Sequence, residues 1–230
     1  MTAALAAGCG LLGLAIGLLL LVVIERVPAR ESVVRPPFGE LRAGLRTATG
    51  WSVVLGTGAL FAAMTLRFED SWVLPAYLLL AAALVALSVI DVRSFLLPNR
   101  IIYPVTIASL GWLVITAIVD DGLDALWRAL ACAAAVLVVF VVLHVISPRA
   151  LGFGDVRLSF LLGLDLGWLG TGEVVLGLLL GFVYGAAVGV VLIGARLRSR
   201  REHIAFGPFL AAGALTAVLV GEAILDWYNG

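Results

Sequence analysis

Seven apolar segments of membrane-spanning length dominate the chain, and this pattern restricts its fold more than any motif does. An α-helix needs about 17 to 25 mostly apolar residues to cross the hydrocarbon core of a bilayer. The seven segments are roughly residues 3–24, 50–66, 72–90, 101–119, 125–146, 173–195 and 206–227, and a shorter one, residues 156–169, makes an eighth. With 63% hydrophobic residues, the chain is predicted to be an all-α, polytopic membrane bundle of about eight transmembrane helices.

The basic residues are all arginine, and most of them fall in alternate loops. The arginines of one side are Arg26, Arg30, Arg35, Arg42, Arg46, Arg93, Arg100, Arg149, Arg157, Arg196, Arg198, Arg200 and Arg201. Only Arg67 and Arg128 lie among the acidic loops of the other side. By the positive-inside rule, the arginine-rich loops are cytoplasmic and the N-terminus is outside. We therefore predict a multi-pass protein of the inner (plasma) membrane, with Asp91 and Asp155 at the cytoplasmic face.

One domain is predicted for residues 1–230, with a single polar segment of note at about residues 25–49. That segment mixes proline, glycine and charged residues, which predicts an extended loop with one short helix. A net charge of zero argues against nucleic acid as a partner, and the basic loops fit anionic membrane lipid better. Cys9 and Cys132 lie inside separate predicted spans. They indicate apolar packing, so we predict no disulfide, no metal site and no cofactor.

Asp91 and Asp155 lie at the ends of apolar segments, where an acid is costly and shared acid–base chemistry is the leading explanation. Asp91 is predicted at the C-terminal end of the third span, where unpaired carbonyl groups disfavour a second negative charge. Asp155 is predicted to open the short sixth helix, whose free amide groups favour an ionised carboxylate. We hypothesise that Asp155 activates water and that Asp91 holds a proton and donates it to a carbonyl oxygen.

The residues before Asp155 complete a candidate active-site loop, and they are Gly152, Phe153 and Gly154. Without a Cβ, the two glycines are expected to let the backbone enter unusual conformations and a peptide come near. A simpler alternative stays open. Both aspartates are then ordinary loop acids paired with Arg93 and Arg157.

Three ordered segments carry a pattern that is more specific than either aspartate alone. They are Ile90-Asp91 with Leu97-Pro98-Asn99 and Tyr103-Pro104; Gly152-Phe153-Gly154-Asp155-Val156-Arg157-Leu158 with Gly163 and Gly167-Trp168; and Ile204-Ala205-Phe206-Gly207-Pro208-Phe209. Arg26-Val27-Pro28, after the first span, fits the same pattern. Together they resemble the prepilin peptidase family, also called type IV leader peptidases, which are bacterial membrane aspartic proteases with a Gly-x-Gly-Asp motif. The resemblance covers most of residues 88–215.

The resemblance implies a hydrolase, an aspartic endopeptidase with Asp91 and Asp155 as its catalytic residues. Its expected partner is a pilin-like precursor of a type IV pilus or type II secretion system. The short basic leader would be removed at the cytoplasmic face, just before the apolar segment of the substrate. Many members also methylate the new N-terminus, using a larger cytoplasmic region with paired Cys-x-x-Cys motifs. Residues 25–49 contain no cysteine, so we expect no methylation here.

Three other functions stay open. The main alternative is a small proton- or cation-coupled transporter that uses the same two aspartates. Both acids lie at one interface, however, and the two halves of the chain show no repeat. The others are a catalytically silent assembly factor and a preflagellin- or signal-peptide-type protease with the same glycine–aspartate motif.

Several further residues stand out less. His144, roughly two turns before the candidate loop, is expected to be a hydrogen-bonded helix histidine, and contact with the site is the less favoured alternative. Asp165 is expected to be structural and His203 solvated. The glycines that recur every four residues in the seventh predicted helix, at 173–195, predict close packing against another helix, and they are Gly177, Gly181, Gly185 and Gly189.

Overall fold

The computed structural model describes residues 2–29, 38–69, 71–148, 151–195 and 205–229. Across these ranges the helices are α1 (Thr2–Arg26), α2 (Phe38–Gly44), α3 (Ala48–Phe68), α4 (Leu74–Ser94), α5 (Asn99–Val119), α6 (Leu123–Ile146), α7 (Phe153–Leu169), α8 (Thr171–Gly194) and α9 (Gly207–Asn229). The all-α fold predicted from the apolar segments is confirmed, and α2 lies within the polar segment 25–49. The predicted positions outside the described residues are Arg30, Arg35, Arg149, Arg196, Arg198, Arg200, Arg201, His203 and Ile204.

Seven of the described helices are long and apolar enough to cross a membrane, namely α1, α3, α4, α5, α6, α8 and α9. They make the chain a multi-pass membrane protein. Helix α7 has 17 residues, which is close to the lower limit of about 17 for a span. Its crossing therefore stays a prediction.

The first of two compact units is Met1–Asp121. Helices α1 and α3 pack closely, and a Cβ at Gly17 would lie only 2.7 Å from the Cα of Val54. Glycine at this position lets the two backbones touch. Helix α4 packs against α1, α3 and α5, and its Tyr77, Leu80 and Leu84 are fully buried. The apolar core of this unit therefore surrounds the helix whose last turn contains Asp91.

The second unit is Gly122–Gly230, in which α6 pairs with α7 and α8 pairs with α9. Helix α7 also contacts α8 and α9, and its leucines from 161 to 166 are fully buried. The predicted close packing of the glycine-rich helix is confirmed, because a Cβ at Gly213 of α9 would lie 2.3 Å from the carbonyl oxygen of Gly177 on α8. Helix α7, which begins with the candidate loop, is thus held by all three other helices of its unit.

Candidate active site

Asp155 lies in the first turn of α7 and is only 6% exposed. Gly152 is the N-cap of this helix, and its backbone N–H donates to Oδ2 of Asp155 at 3.1 Å. The amide groups of a first helical turn have no partner within the helix, and their partial positive charge favours a carboxylate. The predicted place of Asp155 at the opening of a helix is confirmed. The carboxylate is fixed at this position by its own N-cap.

The contribution of Gly152 differs from the one expected. Its φ of −67° and ψ of 152° describe extended backbone that any residue adopts, and none of the glycines described by the structure lies in the left-handed region. The expectation of an unusual backbone at this glycine is therefore wrong. Its missing side chain matters instead, because a Cβ at Gly152 would lie 3.3 Å from Oδ2 of Asp155. Gly154 lies half-buried in the first turn of α7.

Phe153 begins α7 and is held by contacts to two side chains. The guanidinium carbon of Arg157 lies 4.5 Å from the centre of its ring, a cation–π distance. The imidazole of His144, at the end of α6, lies 5.4 Å from the same ring, tilted by 58°. His144 also makes a hydrogen bond of 2.8 Å between Nδ1 and the carbonyl oxygen of Leu151. The prediction of a hydrogen-bonded helix histidine is confirmed, and that histidine contacts the candidate loop.

Asp91 lies in the last turn of α4 and is 6% exposed. The helix ends at Phe95, whose φ of 52° and ψ of 34° are left-handed, and its N–H donates to the carbonyl oxygen of Asp91 at 2.8 Å. A residue with a side chain in this region costs about 1 to 3 kcal/mol, and such positions cluster at functional sites. The left-handed backbone at Phe95 was not predicted from the sequence, because a glycine is the usual signal for this conformation and none occurs here.

The two candidate aspartates belong to different units: Asp91 to Met1–Asp121 and Asp155 to Gly122–Gly230. The arginines next to them have other contacts. Arg93 forms an ion pair of 2.5 Å with Glu25, and Arg157 lies over the Phe153 ring. Each of these two arginines thus makes at least one contact with a group other than the neighbouring aspartate.

An apolar cavity of about 320 Å³ lies beside the loop in the second unit. It is lined by Leu143, Ile146, Ser147, Leu151, Phe182 and Phe206. The ring centres of Phe182 and Phe206 are 5.1 Å apart, and Phe206 directly precedes α9. Sequence reasoning singled out Phe206 through its motif. It missed Phe182, since one more aromatic residue in an apolar helix carries no signal.

Asp165, Cys9 and Cys132 were also singled out from the sequence. Asp165 is fully buried in the interior of α7, as a structural residue is expected to be. Cys9 and Cys132 are both free and half-buried. The acids Asp120, Asp121 and Asp124 are exposed around the turn between α5 and α6.

Comparison with known proteins is consistent with these motifs. The sequence model of the type IV leader peptidase family matches residues 78–191. A prepilin leader peptidase/N-methyltransferase of Bacillus subtilis is 33% identical over 175 residues, which cover 76% of this chain and 67% of that protein. The chain belongs to the type IV leader peptidase family. The resemblance seen in its motifs is confirmed.

Other leader peptidases share a smaller part of their length with this chain. The prepilin leader peptidase/N-methyltransferase of Aeromonas hydrophila is 32% identical over 177 residues, covering 76% of this chain and 60% of that protein. The protein of the same name from Burkholderia pseudomallei is 35% identical over 180 residues, covering 74% of this chain and 54% of that protein. No solved structure matches the chain. This family member therefore spans about 60% of the length of the Aeromonas relative.

Proposed function

We propose that this member of the type IV leader peptidase family is a membrane aspartic endopeptidase that removes the leader from type IV pilin-like precursors. Asp91 and Asp155 are its catalytic carboxylates in this proposal. The observation that carries it is the setting of Asp155, a buried acid in the first turn of α7 with the Gly152 N–H on one oxygen. A carboxylate held in this way is available as a base whose position is fixed.

In the proposed reaction, ionised Asp155 takes a proton from a water molecule as the water oxygen attacks the scissile carbonyl carbon. Asp91 gives its proton to the carbonyl oxygen, which forms a geminal diol. When the diol breaks down, one hydroxyl proton returns to Asp91, and Asp155 gives its proton to the departing amine nitrogen. Both carboxyl groups end as they began, so the cycle needs only water.

The ends of the two helices support this division of roles. Asp155 lies at a helix N-terminus, whose partial positive charge favours the ionised base. Asp91 lies in the last turn of α4, whose partial negative charge favours the protonated acid. If the two carboxyl groups interact closely, they titrate as a pair. The roles of acid and base then state which aspartate carries the shared proton most of the time.

The alternation of the arginines supports cleavage at the cytoplasmic face. Glu25 at the end of α1 pairs with Arg93 at the end of α4, so these two helix ends lie at one level. In this proposal, Asp91 therefore shares its side of the membrane with the arginine-rich segment that follows α1. A substrate whose own apolar segment lies in the bilayer would present its basic leader at that boundary.

We also propose that the chain cleaves without methylating. The relatives are named as both peptidase and N-methyltransferase. In this chain, residues 25–49 stand where the family resemblance places a larger region with paired Cys-x-x-Cys motifs, and they contain no cysteine. In this proposal, residues 1–230 form a single peptidase domain in which the shortened loop replaces the methylating region.

The test is co-expression with a pilin-like precursor, with leader loss and N-terminal mass followed by mass spectrometry. Asp91→Asn and Asp155→Asn are each expected to abolish cleavage while the protein stays in the membrane. Asp124→Asn, which alters an exposed acid at the start of α6, is the matched control and should cleave normally. If Asp91→Asn or Asp155→Asn still cleaves the precursor, the replaced aspartate is not a catalytic residue. A gain of one methyl group on the product would contradict the second proposal.

A further inference from the structure

One hydrogen-bonded chain leads from α6 to the carboxylate of Asp155. His144 bonds through Nδ1 to the carbonyl oxygen of Leu151 at 2.8 Å, and the N–H of Gly152 bonds to Oδ2 of Asp155 at 3.1 Å. The Leu151 carbonyl and the Gly152 N–H are the two ends of one planar peptide group. Orienting the first therefore orients the second.

The partner of His144 fixes which nitrogen carries the proton. A backbone carbonyl oxygen only accepts hydrogen bonds, so Nδ1 of His144 must be the donor. Hydrogen bonds at the two ends of a peptide group polarise it and strengthen one another. The imidazole thus makes the Gly152 N–H a better donor to the carboxylate as well as a better placed one.

A second contact joins the same imidazole to the loop. The His144 ring lies 5.4 Å from that of Phe153, and the guanidinium carbon of Arg157 lies 4.5 Å from the centre of the same ring. Phe153 is 51% exposed, so its position depends on few neighbours. The ring and the Nδ1 donor of His144 therefore hold adjacent parts of the segment Leu151–Asp155.

We propose that His144 is a positioning residue that sets the orientation of the Leu151–Gly152 peptide and, through it, the Asp155 carboxylate. Its importance for turnover rests on the proposed peptidase function, whereas its hold on the segment does not. Asp155 remains the group that acts on water. In this proposal, His144 acts through the segment that carries Asp155 and does not touch the substrate.

Three substitutions separate the donor from the ring. His144→Phe keeps a ring against Phe153 and removes the Nδ1–H. His144→Asn removes the ring and keeps an amide donor close to the Nδ1 position. His144→Gln places its amide donor one bond further out, beyond the reach of the Leu151 carbonyl. Val145→Phe is the matched control, because it adds the same ring one position along the helix, where the side chain is 71% exposed.

The first readout is hydrogen exchange of residues 151–156 in the purified full chain in detergent micelles. Losing one hydrogen bond changes a local opening equilibrium by about tenfold. We expect exchange about tenfold faster in His144→Phe and His144→Gln, and close to the original rate in His144→Asn and Val145→Phe. Unchanged exchange in both His144→Phe and His144→Gln would overturn the proposal. If His144→Phe does not fold, the comparison of His144→Gln with His144→Asn decides it.

The second readout is precursor cleavage, with kcat and KM measured separately. We expect His144→Phe to lower kcat by about tenfold with KM changed less than about twofold, and His144→Asn to recover most of kcat. A loss confined to KM, or an Asn variant as slow as the Phe variant, would overturn the positioning role. If the unaltered chain cleaves no precursor, the proposed function fails, and the exchange measurement still decides whether His144 holds the segment.

Discussion

Arg128 of α6 donates from Nε to the carbonyl oxygen of Gly167 in the last turn of α7, at 3.0 Å. Its Nη2 also donates to the carbonyl oxygens of Trp168 and Leu169, at 2.5 and 3.3 Å. The last carbonyls of a helix have no partner within it, and their partial negative charge favours a cation. Arg128, one of the two arginines outside the alternating pattern, thus caps the C-terminal end of the helix that carries Asp155 in its first turn.

Replacing this cap should weaken the second unit. Arg128→Met keeps the apolar stem and leaves three carbonyl oxygens without the guanidinium, so we expect a loss of about 2 kcal/mol of unfolding free energy. Arg128→Lys keeps the charge without the planar fork and should lose less. Denaturant titration in mixed micelles, followed by circular dichroism, measures both. Arg67→Met, which removes the other arginine outside the alternating pattern, is the control for a general loss of charge. An equal effect of the two Met variants would contradict the capping role.

Gly213 should tolerate no side chain. A Cβ there would lie 2.3 Å from the carbonyl oxygen of Gly177 and 2.4 Å from the amide nitrogen of Gly181, and neither backbone atom can move aside cheaply. We expect Gly213→Ala to cost about 2 kcal/mol of stability, through separation of α8 from α9. Gly8→Ala in α1, where a Cβ would meet nothing within 4 Å, should be neutral or slightly stabilising in the same titration. Equal stability of both variants would exclude the close approach.

The contacts of Arg128 and Gly213 are features of the fold that the sequence did not predict. Apolar segment length was enough to place the long helices within a few residues, because a bilayer imposes both helix and length. The stripe from Gly177 to Gly189 predicted a close neighbour for its helix but not which one. Gly213 is a single glycine in an apolar run, and pairing depends on three-dimensional packing that one sequence does not encode locally. The role of Arg128 was missed for the same reason, since its carbonyl partners lie 39 to 41 residues away.

The ion pair between α1 and α2 should make stability depend on acid. Arg26 donates from Nε to Oε1 of Glu40 at 2.7 Å, and this hydrogen bond holds the pKa of Glu40 below its ordinary value of 4.5. A lowered carboxyl pKa contributes stability that is fully present above the unfolded value and is lost as the pH falls through the folded one. The stability lost in Glu40→Gln should therefore be constant above pH 5 or so and shrink below pH 4.5.

The measurement is the unfolding midpoint of the unaltered chain and of Glu40→Gln in micelles, from about pH 7 to pH 3. Glu69→Gln is the control for a change at an exposed glutamate. The control should follow the unaltered chain at every pH. A difference between Glu40→Gln and the unaltered chain that stays constant down to the lowest pH would show that the side chain of Glu40 matters for packing and not for its charge.

The candidate site was predicted in part. Asp155 at the opening of a helix follows from the polar residues that interrupt an apolar run, and the glycines before it were expected to have a role. The role of these glycines was predicted wrongly, because a prediction from sequence assigns glycine to backbone freedom. The need for space beside Oδ2 of Asp155 appears only in the folded helix. The donor from His144 lies seven residues before its acceptor, across a loop that no periodic pattern describes.

The space left by Gly152 gives the sharpest test of the loop. In Gly152→Ala the new methyl group would lie 3.3 Å from Oδ2 of Asp155, so the carboxylate must shift by a few tenths of an ångström or lose its bond to the N–H of residue 152. We expect kcat for precursor cleavage to fall by about tenfold, since catalysis depends steeply on the position of a reacting group. Stability should change little, because Gly152 is exposed and its backbone conformation suits alanine.

Gly111→Ala is the matched control, since a Cβ in that part of α5 would meet nothing within 4 Å. It should cleave as the unaltered chain does and be about 0.5 to 1 kcal/mol more stable, as alanine is in a helix. A Gly152→Ala variant with undiminished kcat would show that the carboxylate does not need its present contact with the N-cap. If kcat falls in Gly152→Ala and not in Gly111→Ala, and both variants are stable, then turnover depends on the position of Oδ2 of Asp155.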